Sequence, residues 1–542
     1  MRQSPSDDNA TQERNSGATA ERNSSNQSLI KSGGIVGLMT FISRILGFVR
    51  DQVLAIVFGA GGITDVFLVA FKIPNFLRRL FAEGAFAQAF VPVFAEYRET
   101  RDRQALVDLA AHVSGTLTLL LLVISTLGVA LAPGIVWLFA PGFGDEPERY
   151  ELAVHMLRIT FPYLMFVSLV AYAGSILNTF GKFALPSFAP VLLNVSMIAA
   201  ALLLAPHLDV PIVALAWGVF IAGILQLALL APALARMGLL PRPRWGWKHS
   251  GVRRILKLMA PAVLGSSVAQ INLLLDTIIA SFLVAGSLSW LYYSDRLMEF
   301  PLGLLGVTLG TIILPRLASV HASSTPGSTR FSDTLDWAVR LNVLIGLPAA
   351  LALGLFALPM IATLFGYGAF TESDARASAA SLAAYALGLP AFLLVKALVP
   401  GFTARQDMRT PVRIGIICLV ANMVFNLAIV LPMLWLDLPY PHVGLALASS
   451  ASGWLQVGLL YQRLHSDGVY RIGSGMHRTL WQAGLAFLVT AMVGVWLAGG
   501  DWFARDALHR VWALAGILGV TGALYGASLF LVGLRPSHLK SP

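Results

Sequence analysis

The feature that most limits what this chain can fold into is a succession of long apolar stretches. A helix needs about 20 such residues to cross the hydrocarbon of a bilayer, and about fourteen stretches meet that requirement. They fall near 30–58, 62–96, 105–140, 151–180, 184–206, 210–236, 252–285, 288–320, 334–366, 376–404, 411–435, 442–464, 479–499 and 511–534. In hydrocarbon a backbone must satisfy its own hydrogen bonds, so each stretch reads as a helix. Charged residues make up 12% of the 542 and hydrophobic ones 56%, with a mean hydropathy of +0.73. A soluble chain carries about 25% charged residues. The expectation is an all-α polytopic membrane protein.

The formal charge of +10 then needs a location rather than a nucleic-acid partner. Lys and Arg collect in cytoplasmic loops. With residues 1–26 inside as a polar, disordered tail that lacks a signal-peptide core, the basic loops alternate correctly. They carry Arg98, Arg101 and Arg103, then Arg236, Arg242, Arg244, Lys248, Arg253 and Arg254. Further along come Arg405 and Arg409, then Arg463, Arg471 and Arg478, and finally Arg535 and Lys540. The opposite loops are neutral or acidic: "GFGDEPERYE", "TESDA" and "LDLPYPH". Both termini are expected in the cytoplasm, with the positive charge facing anionic lipid. The single cysteine, Cys418, excludes an intrachain disulfide and reads as a small buried hydrophobe.

The first half resembles the second at a spacing of about 225 residues. "PGIVWLFAPG" at 133–142 and "PMIATLFGYG" at 359–368 share P-x-I-x-x-L-F-x-x-G. Pro162 and Pro390 each interrupt the following helix, Pro186 and Pro411 each open the next, and Gly61 and Gly286 mark the turn after each first helix. This predicts two six-helix lobes, 27–236 and 252–464, joined by a basic linker at 237–251. A loop at 465–478, two extra helices within 479–534 and a tail at 535–542 complete the chain. Transporters use paired repeats of this kind, with the substrate site between them.

Charged groups at mid-membrane cost at least ~2.5–3.5 kcal/mol each on insertion scales, so they face a cavity or a partner. Helix 1 carries Arg44, Arg50 and Asp51; helix 2 carries Asp65, Lys72, Arg78, Arg79 and Glu83; helix 8 carries Asp295, Arg296 and Glu299. Asp65, Lys72 and Arg79 are seven apart and share a face, which Glu83 continues at i+4. Pro74 and Pro301 are placed to kink their helices. One reading is structural: carboxylates pair with arginines and nothing binds. The favoured reading is a wet cationic cavity in which Arg44, Arg50, Arg78 and Arg296 converge on an anionic head group, with Lys72 widening the field. Arginine suits bidentate phosphate recognition. Asp65, Arg79, Glu83, Asp295 and Glu299 would then pair charges or gate.

"SRILGFVRD" followed by "TDVFLVAFKIPNFLRRLFAEGAFAQAFVPVFAEY" resembles the signature of the MurJ/MviN family, lipid II flippases of bacterial peptidoglycan synthesis and cell-wall biogenesis. "SWLYYSDRLMEFPLG" and "PGFTARQDMRTPV" also resemble that family, and the likeness runs through nearly the whole chain beyond the tail. The resemblance implies a MATE-type fold working by alternating access in the inner membrane. It implies functional arginines at Arg44, Arg50, Arg78 and Arg296, and important acidic and polar positions at Asp65, Asn75 and Glu83. It also implies a groove for the polyprenyl tail on the last two helices. Some family members bind sodium on the helices that here carry Asp276, Asn422 and Asn426. This chain has Asn426 where a second carboxylate can occur. Oxygen ligands suit a hard cation, while an interhelical Asp–Asn hydrogen-bond cluster explains the same residues.

An enzyme would need a compact interfacial constellation. The ten histidines are scattered, and there is neither H-x-x-x-H nor a P-loop. A flippase for another polyprenyl-pyrophosphate glycan and an ion-coupled multidrug exporter stand as alternatives. No cofactor beyond sodium is expected. The expected partners are lipid II or a related glycolipid, membrane lipids and the cell-wall synthesis machinery, with no nucleic acid, and the chain is expected to act as a monomer.

Overall fold

The computed structural model describes residues 33–79, 86–240, 242–323 and 329–535. Glu83, the 1–26 tail and residues 536–542 lie outside them. In chain order the helices are α1 (33–58), α2 (Gly62–Arg78), α3 (Ala87–Thr100), α4 (Arg103–Ala130), α5 (Ala132–Phe139), α6 (Pro147–Thr160), α7 (Tyr163–Thr179), α8 (Ala184–Ala199) and α9 (Val213–Arg236). They continue with α10 (Ser250–Ser281), α11 (Ser287–Ser323), α12 (Arg330–Leu355), α13 (Ala357–Leu364), α14 (Glu372–Thr403), α15 (Arg409–Trp435), α16 (Val443–Ser466), α17 (Ser474–Ala498) and α18 (Ala507–Leu531). Among the described residues, 10 helices are long and apolar enough to cross a membrane. The remaining expected spans coincide with α1, α2–α3, α10 and α11, the helices that carry the intramembrane charges. The protein is a multi-pass all-helical membrane protein.

The repeat motif has a structural counterpart. Both copies form a helix of 8 residues, α5 and α13, directly after a long helix ends at Leu131 or Phe356. A proline in the first turn suits this restart, because the missing N–H falls among groups with no intrahelical partner. Other repeat marks shift. The left-handed glycine after α1 is Gly59 at φ 68°, not Gly61, while Gly286 has φ 100°. Pro162 separates α6 from α7, but Pro390 lies inside an unbroken α14.

Two compact units emerge. The first comprises Met1–Asp51, Ile73–Leu131 and Leu157–Val263. Its core stacks Phe86, Phe90 and Phe94 in a row, and Phe86 and Phe90 meet Tyr172, whose hydroxyl donates to Ala110 O at 2.9 Å. The second comprises Gln52–Lys72, Ala132–Met156 and Leu264–Pro542. These units cut across the two halves of the sequence, since Gln52–Lys72 and Ala132–Met156 group with the C-terminal helices.

Helix α14 is the axle of the second unit, packed against α11, α12 and α16. Small residues permit the approach: a Cβ on Gly388 would stand 2.5 Å from Ser450 Oγ, which itself donates to Ala384 O. Arg510, buried on α18, donates to Ala362 O at 3.2 Å and Gly366 O at 3.0 Å. A cation thereby meets carbonyls at the negative C-terminal end of α13.

Candidate functional site

Arg44, Arg50, Asn75, Arg78 and Arg79 fall in the first unit. Arg44 and Arg79 are exposed. Arg50 is 6% exposed and held on two sides. Its Nε and Nη2 donate to Asp51 Oδ1 at 3.0 and 2.7 Å, and its Nη1 donates to Asn194 Oδ1 at 3.1 Å. Asn194 in turn donates to Ser43 O at 3.0 Å, so Arg50 ties α1 to α8. Arg78 Nε donates to Asn75 Oδ1 at 2.8 Å, one turn back on α2, which fixes the plane of the guanidinium.

Asp65, Lys72, Asp276, Asp295, Arg296, Glu299, Asn422 and Asn426 fall in the second unit. Asp65 sits in the first turn of α2 and is buried. Its carboxylate accepts from Gly286 N at 2.7 Å, Ser289 N at 2.8 Å and Ser289 Oγ at 2.5 Å. These are the first donors of α11, so Asp65 caps a helix 221 or more residues away in sequence and meets its positive end. Arg149 Nη2 stands 3.6 Å from the same carboxylate, bonds Glu146 at 2.6 Å and lies over the Phe143 ring.

About two turns along α2, Lys72 Nζ donates to Thr277 Oγ1 at 3.4 Å. Lys72 opens onto a cavity of about 500 Å³ that Asp276, Tyr292, Asp295, Tyr385 and Asn422 also line. Beside Asp295 on α11, Arg296 Nη1 donates to Glu299 at 3.1 Å and Nη2 to the cavity-lining Tyr292 Oη at 3.2 Å.

The three residues weighed for sodium are brought together. Asn426 Nδ2 donates to Asp276 Oδ1 at 2.8 Å and to Asn422 Oδ1 at 3.2 Å. The Asn426 amide therefore presents its NH₂ to two of the oxygens a cation would need, and its own Oδ1 is buried with no hydrogen-bond partner among the described residues. Lys72 adds a positive charge to the same cavity. As they stand, these side chains fit a hydrogen-bonded cluster and not a cation cage.

Each unit thus holds basic, acidic and amide groups on apolar helices. The family model described as "Lipid II flippase MurJ" matches residues 54–508. A "Probable lipid II flippase MurJ" of Vibrio cholerae is 47% identical over 525 residues, covering 95% of this chain and 98% of its own. The chain belongs to the MurJ lipid II flippase family. The "Lipid II flippase MurJ" of Burkholderia cenocepacia is 42% identical over 508 residues, covering 92% of this chain and 97% of its own. A solved MurJ in an inward closed conformation superimposes with a TM-score of 0.74 at 26% identity, covering 91% of this chain and 99% of that one. An inward-facing MATE multidrug transporter gives 0.62 at 15% identity, covering 80% and 94%, which speaks for a shared fold alone.

Sequence reasoning passed over two of these polar groups. Arg149 lies in the first turn of α6, in a stretch read as a neutral or acidic loop, and its pairing with Asp65 had no periodic signal. Asn194 is a lone amide in α8, and nothing in its spacing points to Arg50.

Proposed function

We propose that this protein moves lipid II from the cytoplasmic to the outer leaflet of the bacterial cytoplasmic membrane by alternating access, with both termini in the cytoplasm. The observation that carries this reading is the 47% identity that runs through 95% of the chain to a relative of that name. The chemistry supports it. The pyrophosphate of lipid II is an anion that planar guanidinium groups bind in bidentate fashion. We assign its contacts to Arg44, Arg78 and Arg296, with Asn75 orienting Arg78 and Lys72 adding field. Arg50, clasped by Asp51 and Asn194, acts here as a strut. Asp65 serves as a latch, because its three bonds to the start of α11 can exist only while those segments meet. The polyprenyl tail is assigned to α17 and α18, where Met492, Trp496 and Trp512 are exposed apolar surface.

The test is reconstitution with fluorescent lipid II and, in parallel, a cationic dye. Lipid II should change leaflet and the dye should stay. Dye transport without lipid II transport would reverse the reading in favour of a drug exporter.

A further inference from the structure

Helix α4 carries Asp108 and His112 four residues apart, on one face near its start. The linker that follows α9 lies against that face. Arg103 Nη2 donates to Met237 O at 2.6 Å, Arg244 N to Ala111 O at 3.0 Å and Gly246 N to Thr116 Oγ1 at 3.1 Å. Two glycines make the approach possible. A Cβ on Gly115 would stand 2.2 Å from Arg244 O, and one on Gly246 would stand 2.6 Å from His112 Cβ. The strapped linker delivers His249, whose ring stacks on His112 at 4.9 Å. Asp108 Oδ2 is 3.3 Å from His112 Nδ1 and 3.5 Å from His249 Nε2. One donor atom from each of the three lies within 4.8 Å of the others.

We propose that Asp108, His112 and His249 form a binding site for a divalent transition-metal ion of the zinc type. Two imidazoles and a carboxylate make a zinc donor set with a fourth position left for water, and they disfavour magnesium and calcium, which take oxygen ligands. The His112 tautomer suits ligation through Nε2. Its Nδ1 donates to Asp108 O at 2.9 Å, which leaves the Nε2 lone pair for a metal, the usual second partner of a ligating histidine. His249 Nδ1 accepts from Gly251 N at 3.2 Å, so its Nε2 carries the proton facing Asp108. Ligation through Nε2 moves that proton to Nδ1 and gives up the Gly251 contact. Arg244 approaches the other Asp108 oxygen at 3.7 Å, but its side chain is 68% exposed and can swing into solvent. A bound ion would tie the linker to α4, whatever substrate the protein moves.

Full-length protein with its affinity tag removed should bind one Zn²⁺ per chain in competition with a chromophoric chelator, and Mg²⁺ should not compete. His112→Ala and His249→Ala should each weaken Zn²⁺ binding by at least about tenfold, since even outer-shell losses cost that much. His249→Cys should keep a site, and added Co²⁺ should then show a thiolate-to-cobalt absorption. Absence of saturable Zn²⁺ binding overturns the proposal, as does unchanged binding by the doubly substituted His112→Ala, His249→Ala protein. If the alanine variants aggregate, the cobalt spectrum of His249→Cys decides, and its absence counts against the site.

Discussion

Asp65 illustrates how a charge is kept within apolar helices. An isolated carboxylate there would cost several kcal/mol, yet three donors at the positive end of α11 and the nearby Arg149 offset it. Removing one partner of a buried hydrogen bond costs about 1–3 kcal/mol. Asp65→Ala should therefore loosen the Gly286–Ser289 turn selectively. A cysteine at position 287, buried in the wild type, should react with a membrane-impermeant maleimide only in the Asp65→Ala background, with Cys418 replaced. Equal protection in both backgrounds would remove Asp65 from the role of latch. At Arg78 the expected order of flipping rates is wild type, then Arg78→Lys, then Arg78→Ala, because an ammonium cannot form the planar fork. Asn75→Ala should cost less than Arg78→Ala, since it frees the guanidinium to wander without removing it. Full complementation by Arg78→Ala at native expression would sink the assignment.

At the scale of elements, the "PGFTARQDMRTPV" motif becomes a turn with identifiable parts. Helix α14 ends at Thr403, Gln406 takes φ 62°, and Asp407 accepts from Arg409 N at 3.1 Å and Thr410 N at 3.0 Å to start α15. Gln406→Gly should be tolerated or mildly stabilising at a left-handed position. Asp407→Ala should cost about 1 kcal/mol, the usual worth of such a cap. Hydrogen bonds to Thr410 hold the Asp407 carboxylate below its ordinary range. Its contribution is thus present above the unfolded-state value and is lost as pH falls through the lower folded one. Thermal melts in acid should therefore narrow the gap between wild type and Asp407→Ala.

Hydropathy and proline placement made the helices, the paired short α5 and α13, and the charged α1, α2 and α11 legible in the sequence. What stayed hidden depends on contacts between distant residues. The cap from Asp65 to Ser289, the Asn194 brace and Arg149 have no local period to betray them. The choice of Gly59 over Gly61 turns on a backbone angle that either glycine could adopt.

For the whole molecule, the open question is what drives the cycle. The Asp276, Asn422 and Asn426 cluster is closed by the Asn426 amide, and Lys72 already supplies a fixed cation to the cavity. A sodium ion would have to turn that amide and share the space with an ammonium. Transport should therefore run at the same rate when sodium is replaced by choline at fixed membrane potential. Asp276→Asn should not alter that insensitivity, whatever it does to the rate. The potential itself is a sufficient source of work: an anionic head group leaving a negative interior gains about 2.3 kcal/mol per charge per 100 mV. Collapsing the potential with valinomycin and balanced potassium should slow lipid II movement in proteoliposomes. A rate that falls with sodium withdrawal and ignores valinomycin would mean that the Asn426 amide does turn, and that its orphaned oxygen is an ion ligand.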